Sequence, residues 1–207
     1  MSYSLNEVET LCRKAARGAG YGWGLAEEAG HAARWLEARG CLGAQSLAAL
    51  LEEIDGSPPA NMTPRLGAVW QASTPLCPII TGAALSDHAA LLTQGPITLG
   101  TLRHPLLLLP FAAMAAGNGW LTVTWDGTQV VLGADSANAA GNLGLPQVAQ
   151  VICTLTDTPT SAAPSYTRSN LTAEIHTRLT RFAQRTYAPA TEASRIAGAG
   201  AGLSDND

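Results

Sequence analysis

Two β-rich runs, "WLTVTW" (Trp120–Trp125) and "TQVVLG" (Thr128–Gly133), flank Asp126-Gly127 near the middle of this chain. Asp-Gly suits a two-residue hairpin turn, whose central positions need positive φ, and the flanking runs supply two strands. The segment therefore commits the centre of the chain to antiparallel sheet. "GPITLGTL" (Gly95–Leu102) and "VAQVICTLT" (Val148–Thr156) read as further strands, and "LGAVWQ" and "LCPIIT" as short ones broken by prolines. Within this region "HPLLLLPFAAMAAGNG" reads as a buried helix, kinked or restarted near Pro110.

Both ends follow a helical period instead. "SLNE" (Ser4–Glu7) has the form of a capping box, in which the serine hydroxyl and the glutamate each satisfy the other's backbone N–H. Leu5, Val8, Leu11, Cys12 and Ala15 follow at helical spacing, predicting a first helix to about Ala16. Second and third helices are predicted over Leu25 to Ala38 and Ala44 to Ile54. After a Pro- and Ser-rich connector (Thr158–Ser165), an amphipathic helix spans about Leu171 to Tyr187, with Ile175, Leu179, Phe182 and Ala183 on its buried stripe. Helices at both ends around antiparallel strands predict an α+β fold rather than a doubly wound parallel sheet. The 207 residues read as one domain, with a helical part over 1–56, a sheet-containing core over 65–157, and a C-terminal helix with a docking tail over 168–207.

With 46% apolar and 14% charged residues the chain has ample core material and does not have the composition of a disordered protein. Much of the apolar share is alanine, and Phe111 and Phe182 are the only phenylalanines. Helices packed closely through small side chains, with five tryptophans as larger fillers, are the expected core. Several function classes are set aside by composition. A net charge of −4 with no basic run argues against nucleic acid. The longest apolar run, Pro105–Gly117, is too short for a bilayer span, so no membrane partner is expected. The N-terminus lacks a secretory pattern, and Cys12, Cys41, Cys77 and Cys153 are widely spaced, which predicts a cytoplasmic protein with free, buried thiols.

"RGAGYGWGLAEEAG" (Arg17–Gly30) invites a dinucleotide-binding interpretation, which its spacing refuses. Gly18-x-Gly20 meets Trp23 where the third glycine belongs, and the segment follows a helix instead of a strand. No Walker loop occurs either, and no cofactor is expected. Two interpretations of the segment stay open. It is a joint whose glycines supply positive φ and close packing, or an anion site built from Gly22, Gly24 and the first amides of the next helix, with Arg17 just upstream. Glu28, His31 and Arg34 follow one helical turn apart, so they share a face. That face is either a solvated salt-bridged surface or a proton-transfer site in which Glu28 or His31 is catalytic. Glu-x-x-His is half of a di-iron motif, but Glu174 and His176 are misplaced for the other half, and no metal is expected. Ser86-Asp87-His88 is adjacency, not a triad. Cys77 reads as a buried strand residue and His104 as a cap or turn residue. In the tail, Arg195 and Asp205 lie beside a Gly-Ala strip that is suited to dock on the domain or on another subunit.

The segments "SLNEVETLCRKAARGAGYGWGLAEEAGHAARWL" and "TYAPATEASRIAGAGAGLSDND" resemble a bacterial family catalogued only as a domain of unknown function, over most of the chain. The resemblance implies that both ends belong to the native chain, and it transfers no chemistry. Two hypotheses follow from the residues. One is a small-molecule enzyme with an anionic carboxylate or phosphate substrate, held by Arg17, Gly22, Gly24, Arg34, Arg195 and Asp205. The other is a non-catalytic subunit or homo-oligomeric scaffold that uses the tail as an arm.

Overall fold

A computed structural model describes residues 2–133, 136–159, 161–162 and 164–187. The Ser4 hydroxyl accepts the Glu7 N–H at 3.2 Å and the Glu7 carboxylate accepts the Ser4 N–H at 2.7 Å, so the capping box forms as its spacing predicts. It starts α1 (Leu5–Gly18), which follows a short strand β1 (Ser2–Ser4). Next come α2 (Trp23–Glu37) and α3 (Gly43–Ile54). These helices approach closely because their facing residues are small: Ala15, Ala16, Ala26, Ala29, Ala33, Ala44 and Ala48 are fully buried. A Cβ on Gly30 would meet the Glu9 carbonyl of α1 at 2.9 Å, and one on Gly43 would meet Leu36 Cβ at 2.7 Å. The tryptophans do not share one role. Trp70 and Trp125 are buried, Trp35 and Trp120 half-buried, and Trp23 is 66% exposed.

The central region begins with a correction. "LCPIIT" is no strand: Pro78 opens α4 (Pro78–Asp87), and Cys77 is its N-cap. A run apolar on every side carries no period, so a buried helix and a buried strand look alike in sequence. "LGAVWQ" forms no strand of its own and is held only by backbone bridges from Arg65 to Gln71 and from Trp70 to Leu99. "GPITLGTL" divides into β2 (Ile97–Leu99) and β3 (Leu102–Arg103). After a 3₁₀ turn over Pro105–Leu108, α5 (Leu109–Ala115) restarts with Pro110 in its first turn, as the apolar run implies. The Asp-Gly hairpin is β4 (Trp120–Trp125) and β5 (Thr128–Leu132), with Trp125 opposite Thr128 and Asp126 at φ 39°. β6 (Ala137–Ala140), β7 (Gln147–Val148) and β8 (Val151–Thr156) follow.

Five strands form one antiparallel sheet in the order β2-β8-β4-β5-β6, and β3 pairs separately with β7. One face, with Leu121, Val123, Val130, Leu132, Val151 and Cys153, is buried, with α5 against β4 and β5 and the 3₁₀ turn Ala89–Thr93 against β8, while the opposite positions are more open. The chain returns to its start through β9 (Arg168–Asn170), which pairs with β1, and α6 (Ala173–Ala183), which packs on α1 and α3. α6 is shorter than its periodic pattern: Thr172 caps it, and a 3₁₀ turn over Gln184–Thr186 ends it. The fold is α+β. The tail, with Arg195 and Asp205, lies outside the described residues.

Candidate functional site

In the Arg17–Arg34 region three of the charged groups find partners nearby. Arg17 donates to the Tyr21 carbonyl at 2.8 Å and lies over the Trp23 ring at 5.1 Å. Gly22 is the N-cap of α2 and makes no side-chain capping bond. Neither Gly22 nor Gly24 has a neighbour within 4 Å of where a Cβ would stand. Gly18 differs, since a Cβ there would overlap the Phe182 carbonyl at the end of α6. Gly20 takes φ +105° in the turn, where a side chain would be strained. His31 and Arg34 do meet, on a residue that the helical spacing does not name: Glu9 of α1 receives Arg34 at 2.8 Å and stands 3.4 Å from His31 Nε2. Glu28 is half-buried and has no hydrogen bond or ion pair among the described residues.

A second constellation is assembled from residues far apart in sequence. α3 is apolar on its inner face and ends in Glu52-Glu53, so Glu53 emerges at the last turn, toward the strand that leads into Pro105. Arg103 and His104 arrive there because β3 is held on both sides: β7 pairs with it, and Leu76 bridges to Leu102. The His104 N–H donates to the Pro146 carbonyl at 2.7 Å, and the His104 carbonyl accepts the Leu107 N–H at 2.9 Å. Held at both ends, His104 sits at φ 41°, ψ 63°, the left-handed region, immediately before a proline. Such a conformation costs a non-glycine residue about 1–3 kcal/mol and persists only where the surroundings enforce it.

The His104 side chain is only 8% exposed, and its Nε2 lies 2.9 Å from Glu53 Oε1. The other carboxylate oxygen faces Arg103 Nε at 3.6 Å, and Arg103 also donates to the Pro75 carbonyl. A carboxylate only accepts, so Nε2 carries the proton in this pair, and in the neutral ring Nδ1 holds the lone pair. Nδ1 makes no hydrogen bond among the described residues, yet it is not among the polar atoms sealed from solvent without a partner. His104 lines a cavity of about 390 Å³. The first turns of α3 (Gln45, Ser46, Ala49) form one wall, with Gly40, Cys41 and Leu42 ahead of them. Leu106, Leu143, Gly144 and Pro146 form the other. Buried Glu37 fixes the first wall by accepting the Ala44 N–H at 3.0 Å and the Ser169 hydroxyl at 2.6 Å.

Such an arrangement can exchange a proton with a small molecule: an imidazole oriented by a carboxylate on one nitrogen and open on the other. The cysteines are placed for less. Tyr21 Oη and Cys77 Sγ are 3.0 Å apart in the interior, and burial pushes both groups up, outweighing the helix N-terminal amides at Cys77. At neutral pH the thiol is therefore no activated nucleophile. Burial likewise pushes Cys153 up to about 12 and raises Cys41, the one described thiol that is only half-buried and borders the cavity. Among the described residues no three His, Cys, Asp or Glu side chains gather as a metal site would need, and no helix is long and apolar enough to cross a membrane.

Sequence reasoning found the cap at His104 and missed its partner. The signal present was a histidine before a proline at the mouth of an apolar run; Glu53, 51 residues earlier, carries no local mark.

In fold, the chain is similar to a malate dehydrogenase from Entamoeba histolytica, with a TM-score of 0.48 and 9% identity over 68% of this chain. It spans about half, 49%, of that protein. No curated protein matches the sequence. Residues 3–75 match the family model described as "Protein of unknown function (DUF3726)", a stretch that contains the Arg17–Gly30 segment and Glu53 but ends before His104, so it is this N-terminal part that resembles an uncharacterised family.

Proposed function

We propose that the protein binds a small molecule in the His104 cavity and that the Glu53–His104 pair moves a proton to or from it. One observation carries this reading: a strained, buried imidazole whose Nε2 is held by a carboxylate and whose Nδ1 is unpartnered, in a residue that lines a cavity of about 390 Å³. Strain held in place by both neighbours is a mark of functional positions, and the volume lies within the about 300–1,000 Å³ usual for ligand sites. The reading is tested by following the His104 imidazole by NMR while a fragment library is added. Some fragments should shift its resonances, and His104→Asn should abolish their binding while the protein remains folded, because asparagine tolerates positive φ. A library that leaves the ring untouched would sink the reading.

The surface at α2 supports a second reading, an anionic substrate at the helix start. The supporting observation is that Gly22 leaves the first amides of α2 without a side-chain cap beside half-buried Arg17. In that reading Gly22, Gly24, Arg17 and Arg34 hold a carboxylate or phosphate, Glu28 or His31 transfers the proton, and Arg195 and Asp205 close over the site. Arg17→Ala and Glu28→Gln should then remove ligand-induced thermal shifts across a panel of organic acids, and unchanged shifts would discard it.

A further inference from the structure

We infer that the His104 cavity selects a neutral, apolar ligand that presents a hydroxyl to Nδ1, and that it discriminates against both anions and cations. The inference rests on the cavity reading above and adds the chemical class. Among the described residues no Asp, Glu, Lys or Arg side chain borders the space. The charges around it stand in opposed pairs outside the lining: Glu53 and Arg103 approach to 3.6 Å, and Glu37 and Arg39 act on Cys41 with opposite sign. Arg103 does not line the space, and its Nη1 donates to the Pro75 carbonyl. An ion of either sign entering here loses hydration and gains no fixed countercharge.

Leu42, Ala49, Leu106, Leu143 and Pro146 instead offer aliphatic surface, with Gln45 and Ser46 as the polar exceptions on α3. The tautomer then sets the direction of the polar contact. Because Nε2–H donates to the Glu53 carboxylate, the neutral ring is an acceptor at Nδ1 and the ligand must donate. A hydroxyl does so. A carbonyl oxygen at the same place would set lone pair against lone pair.

Four probes of one shape decide the matter on the full chain: cyclohexanol, cyclohexanone, cyclohexanecarboxylate and cyclohexylammonium, each titrated at neutral pH while the His104 ring is followed by NMR. Cyclohexanol should shift the ring and bind at least about tenfold more tightly than each of the other three, as expected where a buried polar group is left unpaired by the wrong partner. Glu53→Gln should narrow the preference of alcohol over ketone, because a carboxamide can donate to Nε2 and move the ring proton to Nδ1. Tighter binding of the carboxylate or the ammonium would overturn the ligand class while leaving the cavity a binding site. No shift with any of the four would overturn the cavity reading and the class with it. The wild-type titrations decide both points even if the variant fails to fold.

Discussion

The Arg17–Arg34 surface and the His104 cavity are opposites in how they are built. The surface comes from one continuous stretch, and its charges find partners within the helical hairpin: Arg17 on Tyr21, His31 and Arg34 on Glu9. The cavity draws on α3, the turn after β3 and the turn before β7, and Nδ1 of its buried His104 has no hydrogen bond among the described residues. In the first region Arg17, His31 and Arg34 have partners while Glu28 has none among the described residues, and in the second the group without a partner is a nitrogen of a buried, strained ring. The lesson is that residue types clustered in sequence mark a candidate site less well than a polar atom that the fold holds in place and leaves open.

The largest expected effect separates the glycines of the surface stretch from one another. Gly18→Ala should destabilise by about 1–3 kcal/mol, as overpacking does, because the added methyl overlaps the Phe182 carbonyl and forces α1 and α6 apart. Gly24→Ala should stabilise by about 0.5 kcal/mol, since its position in α2 is open and helical and the unfolded chain loses freedom. Urea denaturation measures both. If the two substitutions had equal effects, the strip would be uniform and its interpretation as a ligand cradle would regain ground against the joint. The opposite signs would show a segment in which Gly18 packs, Gly20 turns and Gly24 does neither.

What could be read in advance follows the same division. Features with a local cause appear where the residues put them: the Ser4–Glu7 box, the Asp126-Gly127 turn, the restart at Pro110, and the stripe of Ile175, Leu179 and Phe182. Features fixed by distant partners could not be read. The β1–β9 pairing joins Ser2 to Asn170, and nothing in "SYS" or "RSN" anticipates it. "LCPIIT" became a helix because its burial on every side erases the period that would have told. The candidate surface was legible as a shared face of Glu28, His31 and Arg34, yet Glu9, which ties two of them down, sits on another helix. Glu53 and His104 meet only once α3 and β3 are packed.

Acid should expose which charges the fold relies on, and they belong to neither region. Hydrogen bonds from Arg178 hold the Glu52 carboxyl below its ordinary range, and Arg185 does the same for Asp55, anchoring α6 and the turn after it to the end of α3. The Ser4 backbone N–H lowers Glu7 at the start of α1. Folded-state values below the unfolded ones mean that these groups contribute stability above the unfolded values, about pH 4, and lose it as pH falls through the folded ones. The urea midpoint should fall below about pH 4. Arg178→Ala should shallow that fall by returning Glu52 to its ordinary range. Both effects are modest because the pairs are solvent-screened. A midpoint that rose with acid would mean the ion pairs are not what holds α6.

The smallest effect is the sharpest test of the contrast itself. Arg34 is 46% exposed in its ion pair with Glu9, and pairs of that kind contribute about 0–1 kcal/mol once screening and side-chain entropy are counted. Arg34→Ala should therefore shift stability by less than about 1 kcal/mol, and roughly molar salt should shrink the difference further by shortening the Debye length to about 3 Å. His31→Ala should do less, since His31 is 63% exposed and stands farther from the same carboxylate. A loss of more than about 2 kcal/mol at Arg34 would exceed what a screened pair supplies. Glu9 and its partners would then be a structural anchor between α1 and α2. A small, salt-sensitive loss leaves the Arg17–Arg34 face an ordinary charged surface, and the unpartnered nitrogen of His104 is then the feature of this fold that calls for a ligand.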